Sequence, residues 1–205
     1  MGTKSKSKKV FTKNDYVSGD GMLTSVWGPS LWHFLHSMSF NYPDNPTTDD
    51  KKYYKNFLLG LEHILPCKYC RTNLKKNLEK LPLTDKNMKN RESFSRYIFN
   101  LHELVNKMLK KKSGLTYCEV RERYEHFRSR CTLDVPESSF SVIKMKKTRR
   151  NKKQKEKGCT EPLYGQKAKC LIRIVPDKKK AKTLTIDKKC LKSKTKSTTK
   201  KCFAR

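Results

Sequence analysis

The amino-acid sequence predicts an all-α protein: a four-helix bundle with a short fifth helix, followed by a basic, largely disordered tail. Three observations predict it. Apolar residues recur at three- and four-residue spacing in five consecutive segments between residues 24 and 130. Short connections marked by Pro, Gly, Asn or Asp separate those segments, as in a bundle of neighbouring helices. The alternating pattern of a half-buried strand is found only at Cys170-Leu-Ile-Arg-Ile-Val, too isolated to build a sheet.

The elements follow in order. Residues 1–20 are polar and basic, with Gly19 and Gly21 near their end, and read as a flexible arm. Thr24 or Ser25 can cap a first helix running to about Phe40, with Trp27, Leu31, Phe34, Leu35 and Met38 as its apolar stripe. Pro29 falls near its first turn, where a missing N–H is tolerated. After a loop from Asn41 to Thr48, Thr47, Thr48 or Asp49 caps a second helix. Tyr53, Tyr54, Phe57, Leu58, Leu61, Ile64 and Leu65 form its apolar side, and Pro66 closes it. A third helix carries Cys70, Leu74 and Leu78 and stops near Leu81-Pro82. The fourth spans about Glu92 to Lys111 on Phe94, Tyr97, Ile98, Leu101, Leu104, Val105, Met108 and Leu109, with Gly114 ending it. The fifth, about 117–130, presents Val120, Tyr124 and Phe127.

Charge divides the chain. Of the 205 residues, 49 are Lys or Arg and 19 are Asp or Glu, a net charge of +30. Residues 141–205 hold 24 of the basic residues against four acids, a net of +20, while the first 140 carry +10 and nearly all the aromatic residues. The first part can bury a core, whereas the Lys-rich second part cannot offset its own ordering entropy. The domains expected are an arm over 1–20, a helical domain over 21–134 and a low-complexity tail over 135–205. No run reaches the ~18 apolar residues of a membrane-spanning helix. The basic start lacks the apolar stretch of a secretory signal, and Lys6 stands where a myristoylation signal has Ser or Thr. The expectation is a soluble protein that stays in the compartment where it is made.

The eight cysteines are 67, 70, 118, 131, 159, 170, 190 and 202. Cys67 and Cys70 stand one helical turn apart just after Pro66. A helix starting there directs free N–H groups and its dipole at the first sulfur, favouring a thiolate, and Lys68 and Arg71 add positive charge. Such a pair can form a short disulfide that exchanges with incoming thiols. It can also be half of a zinc site, but zinc wants a second close pair, and Cys118 and Cys131 enclose twelve residues. A mixed site using His63, His102 or His126 stays open, as does the absence of any function. A thioredoxin-like reading requires strands around the motif, and here helices flank it.

Taken with its neighbours, the pair resembles the centre of the Erv/ALR family of FAD-linked sulfhydryl oxidases, in particular its large-DNA-virus members. The resemblance covers roughly residues 24–131 and rests on four motifs in the family's order. Trp27-Gly28-Pro29-Ser30-Leu31-Trp32-His33-Phe34-Leu35-His36 matches the opening W-G-x-x-x-W-x-x-L-H helix. Leu65-Pro66-Cys67-Lys68-Tyr69-Cys70 matches the P-C-x-x-C redox centre. The segment from His102 through Val105, Asn106 and Leu109 to Lys111 matches H-N-x-V-N-x-x-L-x-K, with Glu103 where the family usually has Asn. Cys118 and Cys131 match the structural cysteine pair that follows.

The resemblance implies a flavin in the mouth of the bundle. Cys70 would face the flavin and Cys67 would take electrons from an incoming protein dithiol. Gly28, Trp32, His36, Tyr69, His102 and Asn106 would line the cofactor site. Lys111 would meet the pyrophosphate, Tyr124 or Phe127 would stack on the adenine, and a Cys118–Cys131 disulfide would pin the fifth helix. Without the family match, Trp27 and Trp32 could be core residues, and His33, His63 and His126 remain ordinary polar side chains. The resemblance also implies oxygen as acceptor with hydrogen peroxide as product, and a homodimer paired through the first helices. Viral relatives imply a virion or host-cytoplasm location.

Family members often relay electrons through a shuttle disulfide in a terminal segment. The arm has no cysteine, so the shuttle candidates are Cys159 with Cys170, or Cys190 with Cys202. The +20 tail suits unspecific contact with nucleic acid or another acidic surface. The rival reading is a basic nucleic-acid-binding protein whose cysteines hold a structural zinc.

Overall fold

The structure, a computed structural model, describes residues 10–130, 158–176, 179, 181–182 and 184–191. Its helices are α1 (Lys13–Val17), α2 (Thr24–Phe40), α3 (Thr48–Ile64), α4 (Lys68–Lys80), α5 (Arg91–Met108) and α6 (Tyr117–Glu125). The five anticipated helices are α2 to α6. The chain divides into two compact units, Met1–Ser113 and Gly114–Arg205.

In the first unit α2 packs on α5, α3 on α4, and α4 on α5. One apolar core joins them: Leu35 from α2, Leu58 and Leu61 from α3, Leu74 and Leu78 from α4, and Phe94, Tyr97, Ile98 and Leu101 from α5. Two tyrosines reach across connections. Tyr42 donates to the Met88 carbonyl at 3.0 Å and Tyr97 to the Leu81 carbonyl at 2.8 Å, so each phenol is buried with its hydroxyl satisfied.

The helix ends show where local chemistry set the boundaries. Thr47 starts α3 with a capping box to Asp50, and Asn90 starts α5 by accepting from the Ser93 N–H. The first bundle helix departs from expectation. Its N-cap is Leu23, with no side-chain hydrogen bond, and Thr24 is already helical. Pro29 therefore lies a full turn inside, where its missing N–H leaves the carbonyl of exposed Ser25 to water. The end of α5 also departs, stopping at Met108 rather than near Lys111. Lys110 takes a left-handed φ of 54°, its N–H bonds the Lys107 carbonyl at 3.1 Å, and the Lys111 N–H bonds the Asn106 carbonyl at 2.8 Å. That is a Schellman closure, with Lys110 in the place usually given to glycine. Met108 and Leu109 remain 42% and 48% exposed, so no core rewarded a further turn. The arm is likewise not featureless: Thr12 and Asp15 make a capping box for the five-residue α1.

In the second unit Thr116 and Glu119 form a capping box for α6, which buries Tyr117 and Val120. Strands β1 (Ser129–Arg130) and β2 (Glu161–Pro162) pair antiparallel, Ser129 opposite Pro162 and Arg130 opposite Glu161. A 3-10 turn spans Lys188–Cys190, and the Gln166 N–H bonds the Lys189 carbonyl at 2.9 Å. Residues 170–175 have no regular structure, and Leu171, Ile172 and Ile174 are each more than 70% exposed. Cys131 and Cys202 lie outside the described residues, so the Cys118–Cys131 and Cys190–Cys202 pairings fall there too.

Candidate active site

Cys67 and Cys70 are joined by a disulfide at the start of α4, their Cα atoms 5.1 Å apart. Cys67 is the helix N-cap. Its Sγ takes the role usually played by a Ser or Asp oxygen, accepting from the Cys70 backbone N–H at 3.1 Å. Both cysteines are half-buried, and Cys70 packs against the bundle core. The Arg71 guanidinium donates to the Leu65 carbonyl at 2.6 Å, satisfying the C-terminal end of α3. Tyr69 is 73% exposed.

A short strap from the arm crosses this turn. Gly21 pairs antiparallel with Cys67, bracketed by Met22 N–H to Pro66 carbonyl at 2.6 Å and Lys68 N–H to Asp20 carbonyl at 3.0 Å. Trp27 ties the same segment from the other side, its indole N–H donating to the Met22 carbonyl at 3.1 Å. Gly21 is needed for two reasons: its φ is +109°, and an added Cβ would lie 2.4 Å from the Pro66 oxygen. The strap sets the start of α2 beside the disulfide, where the Thr24 hydroxyl lies 3.5 Å from Cys70 Sγ.

Three rings meet where α2 faces α5. Trp32 and His102 stack with centroids 3.9 Å apart and planes 6° from parallel. His36 Nε2 and His102 Nδ1 are 2.9 Å apart, one donating to the other. Burial drives the His36 pKa down to about 3, with His102 and His33 adding repulsion, and burial drives His102 down to about 4 although Glu103 opposes it. At neutral pH both imidazoles are uncharged, and the cluster is a neutral group of three rings. One turn along α5, the Asn106 amide donates to Glu103 at 3.0 Å, so the acidic residue in the motif orients its neighbour. Gly28 is buried on α2.

The sequence-predicted residues thus fall into groups. Trp32, His36 and His102 form one cluster, while Cys67 and Cys70 form the disulfide at the start of α4. Lys111 is exposed, beyond the end of α5. Tyr124 lies in the second unit, edge-on to Phe127 at 5.8 Å, with burial raising its pKa to about 12. Cys118 is disulfide-bonded. Cys159, Cys170 and Cys190 are free thiols, and Cys159 and Cys190 line one cavity of about 170 Å³. Sequence reasoning missed the strap and the Thr24 contact. The glycines at 19 and 21 were the only local signal for a sharp chain path there.

The chain matches the model of the Erv1 / Alr family over residues 29–125. It is 39% identical over 104 residues to a probable FAD-linked sulfhydryl oxidase, R368, of Acanthamoeba polyphaga mimivirus, a match covering 51% of this chain and 72% of the relative. It is 34% identical over 99 residues to an FAD-linked sulfhydryl oxidase of African swine fever virus, covering 48% of this chain and 80% of that one. With the mitochondrial FAD-linked sulfhydryl oxidase ERV1 of Saccharomyces cerevisiae it shares 36% identity over 85 residues, 41% of this chain and 43% of the yeast protein. The crystal structure of the yeast Erv1 core aligns with a TM-score of 0.45 at 26% identity, over 60% of this chain and 96% of that one. Sharing 39% identity with a relative of which it covers 72%, and with the redox motif inside the matched span, the chain belongs to the Erv1/Alr family.

Proposed function

We propose that this protein is an FAD-linked sulfhydryl oxidase that makes disulfides in protein substrates. The observation that carries the reading is the Cys67–Cys70 disulfide at a helix N-terminus in the same bundle as the neutral Trp32–His36–His102 cluster. A dithiol substrate would exchange with the pair and leave it reduced. The residues present fit a flavin: the aromatic Trp32 ring, two uncharged imidazoles able to donate or accept, and the Asn106 amide held by Glu103. When bound, the cofactor supplies two-electron acceptance from the cysteine pair and electron transfer to oxygen, with hydrogen peroxide as product. Trp32, His36, His102 and Asn106 would hold its ring with Gly28 and Tyr69, and Cys70 is the sulfur assigned to its side. Lys111 and Tyr124 are assigned to its pyrophosphate and adenine, and a Cys118–Cys131 bond to the α6 segment.

The test is the purified protein itself. It should be yellow and consume oxygen when given a dithiol, and Cys70→Ser should keep the flavin and lose oxygen uptake. A colourless protein carrying stoichiometric zinc, or a Cys70→Ser variant with unchanged turnover, refutes the reading.

The domain reading is an Erv/ALR-type oxidase domain over 21–134 with a Lys-rich tail. A homodimer through the first helices is supported by an exposed aromatic pair, Phe34 on α2 (51% exposed) edge-on to Phe57 on α3 (38% exposed) at 5.8 Å. A monomer by light scattering would overturn it. A tail shuttle, Cys159 with Cys170 or Cys190 with Cys202, would show as a tail disulfide in non-reducing peptide maps. Among the described residues no helix is long and apolar enough to cross a membrane. Viral relatives support, for a viral source, a place in virions and host cytoplasm, and otherwise inside the cell, which fractionation of the source cells would check.

A further inference from the structure

We propose that Thr24 is a positioning residue for thiol–disulfide exchange: its hydroxyl donates to Cys70 Sγ and makes that sulfur the leaving group when Cys67 is attacked. The contact is 3.5 Å, between residues 46 positions apart in sequence. In the disulfide neither sulfur carries a proton, so the hydroxyl is the donor. The two sulfurs have different donors, because Cys67 Sγ accepts from the Cys70 backbone N–H. Thr24 does not cap its own helix, which starts from Leu23 with no side-chain cap. A threonine at a helix start normally spends its hydroxyl on the backbone, and here that hydroxyl faces a sulfur. The strap hydrogen bonds from Met22 and Lys68 and the Trp27 indole hold it there.

The inference rests on the reading that Cys67–Cys70 exchanges with substrate thiols. A substrate thiolate bonds to Cys67 Sγ as the Cys67–Cys70 bond breaks, and the electron pair of that bond stays on Cys70 as a thiolate. The substrate's second thiol loses its proton to solvent and displaces Cys67, releasing a substrate disulfide and a Cys67 thiolate. Two electrons have then passed from substrate to the pair. The better stabilised thiolate leaves faster; Cys67 has the Cys70 N–H, and the Thr24 hydroxyl gives Cys70 a donor of its own, so removing that hydroxyl shifts attack away from Cys67.

The experiment compares full-length wild type, Thr24→Val and Thr24→Ser. Valine keeps the branched shape without the hydroxyl; serine keeps the hydroxyl without the methyl. The oxidised proteins are reduced with dithiothreitol, quenched by alkylation, and Cys67 and Cys70 are counted by peptide mass. Thr24→Val is expected to react about tenfold more slowly and Thr24→Ser within about twofold of wild type. Brief treatment with glutathione should label Cys67 in wild type and both cysteines in Thr24→Val. A Thr24→Val variant as fast and as selective as wild type overturns the proposal, as does a Thr24→Ser variant as slow as valine, which would mean packing. A wild-type pair that exchanges as described without consuming oxygen sinks the oxidase reading and leaves this one standing; a pair that does not exchange sinks both.

Discussion

At the scale of single residues, the two buried imidazoles give the bundle a measurable pH response. The unfolded chain takes up protons on His36 and His102 from about pH 6.5 downward, whereas the folded pair resists until about 3 and about 4. Below 6.5 the unfolded state therefore binds more protons, and stability falls as pH falls; above 6.5 neither ring contributes a slope. The urea midpoint should drop between pH 6.5 and 4.5, and drop less in the His36→Gln/His102→Gln double variant. An equally steep drop in that variant would place the origin elsewhere. These two histidines were legible in the sequence only through the motifs around them, since the mutual hydrogen bond and the Trp32 stack join residues 66 and 70 positions apart. Thr24 was read as a candidate cap from local propensity, and the structure gave its hydroxyl a sulfur partner instead.

Among the elements, apolar spacing located all five bundle-type helices, and α2 runs over Thr24–Phe40 as the pattern implied. The ends were harder, because a boundary depends on whether another turn can bury anything. The Schellman closure of α5 places Lys110 at φ 54°, a conformation glycine adopts without cost and lysine does not. Lys110→Gly should therefore stabilise the first unit by about 0.5–1 kcal/mol, read as a higher urea midpoint at unchanged slope. A lower midpoint would show that the lysine side chain contributes there. The strap was invisible to periodicity, since its hydrogen bonds run to Pro66 and Lys68, more than forty residues away.

On the scale of the whole molecule, charge asymmetry separates a helical head from a strongly basic tail whose net +20 over residues 141–205 acts through long-range electrostatics. If the tail meets nucleic acid through phosphates, affinity for mixed-sequence duplex DNA should fall at least about 100-fold between about 50 and about 200 mM salt. Anisotropy titrations with the full chain and with one ending at residue 140 check this. Equal binding by both, or binding indifferent to salt, would remove the tail from any such role.

What the sequence determined by itself was the repeated helical spacing, the redox pair after Pro66, and the motif order that carries the family. Each is local, set by neighbours within a turn or two. Only the tertiary structure decided that Asp20–Met22 crosses Cys67, that Thr24 serves Cys70, and that Trp32 stacks on His102 while His36 hydrogen-bonds to it. Those contacts join distant segments, and they form only once core burial has brought α2 against α5 and the arm against the start of α4.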